Sequence, residues 1–198
     1  SDGTHFASEI NLTAALKAGR QVSLTATYGR LDTSADITGG MVTIVTSGDL
    51  SVKNITATSA TMDGISLFAD GLGSHGGINV LGFLKSAGKI YVSGGTMDEY
   101  SGTSGHIKVE GAITAAKGIL QLASTGDIIL MGATSATLGA VDMRAYGKIE
   151  TQAVTAAQTI WMDADRIKTY GAISAKGKDV FEDTGNMGTW IDFSVLLW

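Results

Sequence analysis

Two polar stretches hold the side chains best suited to chemistry. The first reads Ala69-Asp-Gly71-Leu-Gly73-Ser-His75. The second reads Ser93-Gly-Gly95-Thr-Met-Asp98-Glu99-Tyr100-Ser-Gly-Thr-Ser104, with His106 close behind. His75, Asp98, Glu99, Tyr100 and His106 therefore make a candidate ligand or partner site. A histidine near two carboxylates can hold a metal ion or bind a sugar. The spacing matches no metal motif, and surface loops collect polar residues without any ligand. No metal and no cofactor is assigned. Gly71, Gly73, Gly94 and Gly95 lack the lysine and the following helix of a phosphate loop, and read as turn residues. Asp49, Asp127 and Asp183 adjoin or approach glycine, but the nonapeptide calcium repeat is absent. His5 has no partner in sequence.

The elements that would position these residues come from an internal repeat. Val141-Asp-Met143, Gly147-Lys-Ile149-Glu-Thr151 and Val154-Thr155-Ala156 repeat the frame of Val42-Thr-Ile44, Gly48-Asp-Leu50-Ser-Val52 and Ile55-Thr56-Ala57. Copies open at Val22, Val42, Ile65, Ile90, Leu120, Val141 and Ile160. A second landmark, usually glycine, falls at Gly29, Gly48, Gly76, Gly105, Gly126, Gly147 and Asp165. A third, apolar, falls at Ile37, Ile55, Phe83, Ile113, Ala133, Val154 and Ile173. Apolar residues alternate with period two, which is strand spacing. Short strands, glycine corners and a period of about 20 residues predict an all-β chain. The expected fold is a single-stranded β-solenoid (a parallel β-helix) of about seven short coils, a rod roughly 34 Å long. A β-sandwich fits less well, because hairpin signals such as Asn-Gly are missing. The two polar stretches expand neighbouring copies before the glycine corner, so they are expected side by side on one edge.

The outward positions bear on catalysis. One step after the opening residue stand Ser23, Thr43, Ser66, Tyr91, Gln121, Asp142 and Trp161. Beside the post-glycine residue stand Asp32, Ser51, Asn79, Lys108, Ile129, Glu150 and Lys168. Neither file puts two acids on adjacent coils, as paired-carboxylate hydrolysis requires, so no catalytic residue is assigned. A carbohydrate-active enzyme or carbohydrate-binding module on the same fold is the competing expectation. Threonine forms a file at Thr38, Thr56, Thr114, Thr134 and Thr155, closed by Ser174 and interrupted by Leu84. Ice binding would need a second parallel file, and the positions two further on do not supply one. Stacking of hydroxyl and methyl groups between coils is the simpler role.

Composition supports this reading. The 198 residues contain 27 glycines and neither proline nor cysteine. Proline cannot donate a ladder hydrogen bond, and a chain made of paired strands excludes it. Without cysteine there is no disulfide framework, thiolate metal site or cysteine nucleophile. Hydrophobic residues make up 44% and mean hydropathy is +0.20, enough for a sizeable core. A net charge of −5 argues against nucleic acid, which requires a basic stripe. No apolar run reaches the roughly 18 residues of a membrane span.

The steps Gly48-Asp-Leu50-Ser-Val52, Gly126-Asp-Ile128-Ile-Leu130 and Gly147-Lys-Ile149 resemble the repeats of filamentous-hemagglutinin-like secreted adhesins. The likeness covers roughly residues 19–177. It implies a secreted or cell-surface, non-enzymatic fibre protein, with a cell-surface glycan or protein receptor as a possible partner. The family's secretion domain carries an Asn-Pro motif, which this proline-free chain lacks. Both a fragment of a longer adhesin and a complete mature subunit fit the chain. Three segments are expected: an N-terminal segment or cap at 1–18, solenoid repeats at 19–177, and an apolar C-terminal strand segment at 178–198. In the last, Ile191, Phe193, Val195 and Leu197 share one face, and Trp190 and Trp198 lie on the other. Such a strand either covers its own last coil or adds to the edge of another copy, making a head-to-tail polymer. Trp190, Ile191, Phe193, Val195, Leu197 and Trp198 are accordingly the expected polymer interface.

Overall fold

A computed structural model describes residues 9–27, 29–60, 64–69, 76–95, 105–117, 120–176 and 180–183. These residues form a β-solenoid of 24 short strands in three eight-stranded parallel sheets. Sheet I runs from Ile10–Leu12 through Leu31–Thr33, Leu50–Val52, Ile78–Val80, Ile107–Val109, Ile128–Leu130 and Lys148–Thr151 to Arg166–Thr169. Sheet II runs from Leu16–Lys17 to Ile173–Ala175, and sheet III from Gln21–Ala26 to Val180–Asp183. The chain visits I, II and III in turn and then steps up one rung. No helix in the described residues is long and apolar enough to cross a membrane.

Period-two alternation gives each strand one inward and one outward face. Val42, Ile65, Ile90, Leu120, Val141 and Ile160 pair in register along sheet III, and each is at most 1% exposed. The inward file in sheet I is Leu31, Leu50, Ile78, Ile107, Ile128, Ile149 and Ile167. Both outward files read from the sequence, the one with Tyr91 and Gln121 and the one with Asn79 and Lys108, are in the expected register. The ladders also extend beyond 19–177. Ile10–Leu12 and Leu16–Lys17 pair into sheets I and II, and Val180–Asp183 pairs with Ile160–Asp163. The expected interface residues Trp190, Ile191, Phe193, Val195, Leu197 and Trp198 lie outside the described residues.

The third landmark needs correction in two copies. Leu84, not Phe83, pairs with Ile55 and Ile113, and Phe83 is 39% exposed. Thr134, not Ala133, pairs with Ile113 and Val154. The corner from sheet I to sheet II has one residue more here than in the copy at Val52–Ile55. Because the side-chain period is two, a slip of one residue exchanges the faces. The outward file is therefore Thr38, Thr56, Lys85, Thr114, Ser135, Thr155 and Ser174. Leu84 and Thr134 leave it for the core. The stacking role holds at one step, where Ser135 Oγ and Thr114 Oγ1 are 3.4 Å apart.

Two consequences can be measured. Val141→Asp would bury an unpartnered carboxylate, and melting should show a loss on the order of several kcal/mol. Unchanged melting would refute the register. Thr134 is 1% exposed, and its Oγ1 has no hydrogen-bond partner among the described residues. Thr134→Val keeps the shape and removes the unmet hydroxyl, so it should stabilise by about 1 kcal/mol, a rise in Tm of about 2–4 °C.

Candidate functional site

The corner from sheet III to sheet I builds the most distinctive surface. Gly29, Gly48, Gly76, Gly105, Gly126 and Gly147 occupy it as expected, and at Gly76, Gly105 and Gly147 there is no space for a side chain. The only left-handed glycines among the described residues are Gly64 and Gly95. A Cβ on Gly76 would run into the carbonyl of Gly48 on the neighbouring rung. Gly48 N donates to Gly29 O at 2.9 Å, and Gly147 N donates to Gly126 O at 3.0 Å. Inside the corner, Ser124 Oγ accepts from Gly126 N at 3.1 Å and donates to Gly105 O.

Asp49 and Asp127 hold this corner together across rungs. Asp49 Oδ1 accepts from Gly77 N at 2.9 Å, and Asp127 Oδ1 accepts from Lys148 N at 2.9 Å. These carboxylates stabilise backbone donors of the following rung, and the repeated Gly-Asp-apolar step was their signal in the sequence. No three His, Asp or Glu side chains converge among the described residues. Asn54 plays the same part at the corner from sheet I to sheet II. Its Nδ2 donates to Asp36 Oδ1 at 2.9 Å, and its Oδ1 accepts from Phe83 N at 3.1 Å.

Two grooves open on the outer side of sheet I and share one wall, His106. The larger, about 470 Å³, is lined by His106, Lys108, Thr125, Gly126, Asp127, Ile129, Tyr146 and Gly147. The smaller, about 270 Å³, runs from Arg30, Asp32 and Asp49 past Ser51, Gly77 and Asn79 to His106. The His106 imidazole covers Gly77, where a Cβ would collide with the ring. Arg30 makes a two-pronged contact with Glu9 on the rung below, at 2.9 and 3.1 Å. That hydrogen bond and the Glu9 charge raise the guanidinium above its ordinary value, so it stays cationic throughout the working pH range. The Lys148 ammonium, beside Glu150 at 3.0 Å, is also raised, by hydrogen bonding and then by charge. This pair contributes below the ordinary lysine pKa and is lost as pH climbs through the raised value. Its exposure keeps the contribution small.

Of the candidate site residues, His106 alone falls in the described part, and it stands at the centre of these grooves. His75, Asp98, Glu99 and Tyr100 lie outside the described residues. The roots of the two polar stretches do adjoin. Gly95 N donates to Ala69 O at 3.0 Å, which joins the rungs from which 70–75 and 96–104 depart. Sequence reasoning missed Tyr146, Asp127 and Arg30 as groove residues. Each sits on the corner file beside the glycines, and that file was not read as a surface. No protein family, curated protein or solved structure matches this chain.

The backbones of Gly94 and Gly105 lie against each other, with no space for a Cβ on Gly105. The rung therefore closes from Gly94 to Gly105. Replacing 96–104 by a short Gly-Ser link should leave melting within about 0.5 kcal/mol of the parent, as for surface changes away from the core. A large loss would show that the stretch supports the rod.

Proposed function

We propose that the protein is an extracellular structural or adhesive fibre subunit that joins copies of itself end to end. One observation carries this reading: the first and last rungs are equivalent in register. Ile10, Leu16 and Val22 occupy the same inward files as Ile167, Ile173 and Val180. Within the described residues, each terminal strand has a ladder partner on one side only. Setting one copy's last rung on another's first would continue three ladders and three apolar files together. Unpaired strand edges template such additions. The contact joins two different surfaces, so it propagates as an open filament. The resemblance to filamentous-hemagglutinin-like adhesins supports an extracellular setting. No reaction is assigned to the chain. The grooves around His106 favour a carbohydrate-binding role for the same rod.

Negative-stain microscopy and sedimentation of the pure chain at high concentration test this reading. Filaments with an even repeat are expected. A chain lacking Trp190 to Trp198 should fold and fail to polymerise. A parent chain that stays monomeric sinks the proposal, and a truncated chain that still forms the same filament removes the C-terminal segment from the interface.

A further inference from the structure

We propose that the two grooves flanking His106 form one site for a neutral, linear glycan lying along the rod axis. This rests on the adhesive half of the reading above and is independent of end-to-end assembly.

The first support is dimensional. The grooves cross sheet I from the strand Leu31–Thr33 to the corner before Lys148–Thr151. Successive rungs lie about 4.8 Å apart, close to the length of one pyranose unit in an extended glycan. A linear oligosaccharide would therefore meet a similar floor at each unit, and a compact ligand would leave most of the groove empty.

The second support is unmet hydrogen bonding beside His106. Asn79 lines the smaller groove, and its Oδ1 is buried without a partner among the described residues. A buried polar atom left unpaired is costly. A small adjustment of this side chain toward the groove would offer it a ligand hydroxyl.

The third support is charge. Arg30 and Lys108 stand among Asp32, Asp49 and Asp127, and each is already paired with a carboxylate, Glu9 and Glu110, both at 2.9 Å. An anionic or cationic polymer would meet like charge every few rungs. A polyhydroxylated neutral ligand uses donors and acceptors alike. Finally, Tyr146, 59% exposed, stands at the far end of the larger groove. A ring with an apolar face and a polar tip suits stacking against the C–H face of a sugar.

Calorimetry on the full chain tests the proposal. The probes are neutral hexamers of β-1,4-linked glucose, mannose, xylose and N-acetylglucosamine, with hexagalacturonate as the anionic counterpart and calcium chloride as the cation probe. At least one neutral hexamer should bind, and its dimer should bind about tenfold or more weakly. Tyr146→Ala and Asn79→Ala should each weaken the hexamer about tenfold, with melting no lower than the parent's. Gly77→Ala, which pushes the imidazole aside, should weaken it as well. Binding of hexagalacturonate or calcium alone, binding of nothing, or binding indifferent to Tyr146 and Asn79 would overturn the assignment. Microscopy of the same samples separates the two readings. Filaments without glycan binding defeat the groove proposal alone, and glycan binding without filaments defeats the assembly reading alone.

Discussion

Backbone hydrogen bonds from each rung to the next are the constraint on which this structure depends. They run along the rod axis in three parallel ladders, so no strand completes its bonding within its own coil. A rung alone would leave its donors and acceptors to water and half its apolar surface uncovered. Stacking solves both problems at once, which is why inward side chains line up as files and not as isolated contacts. The register must then be the same in all three sheets, because an error in one face would expose apolar residues in the next.

The corners enforce that register with polar atoms. Asp49, Asp127 and Asn54 each reach across to a backbone donor on the following rung. Ser124, Ser86 and Thr33 accept from a donor two residues ahead within their own turns. These contacts pair backbone donors where the chain reverses direction. Thr125, Thr134 and Thr151 depart from this economy: their hydroxyls are buried with no partner among the described residues. They mark positions where the solenoid tolerates an imperfect file because neighbouring rungs fill the rest.

Much of this was legible in the sequence, and the failures are specific. The files through Val141 and Ile149 could be read because glycine marks the corner before six of the eight sheet I strands. The file through Ile55 and Ile113 was harder. Its corner varies by one residue, and Phe83 is more apolar than its position warrants, so it drew the landmark away from Leu84. Gly82, Gly111, Gly132 and Gly171 mark the longer corner and were the available signal. Tyr146 and Arg30 were invisible as groove residues for another reason. A groove is shared by several rungs, and residues far apart in sequence meet there through register alone.

The direction of the ladders also sets how the rod answers a pull. Strands lie across the long axis, so tension applied along it loads the inter-rung hydrogen bonds end-on. Among the described residues each rung holds mainly to its two neighbours, so the load passes from junction to junction. Bonds would then part a few at a time from an end, as in a zipper. Sheared strands, by contrast, resist together. A rod of this kind yields gradually under traction, shedding single coils while the remainder keeps its shape and the surface it displays.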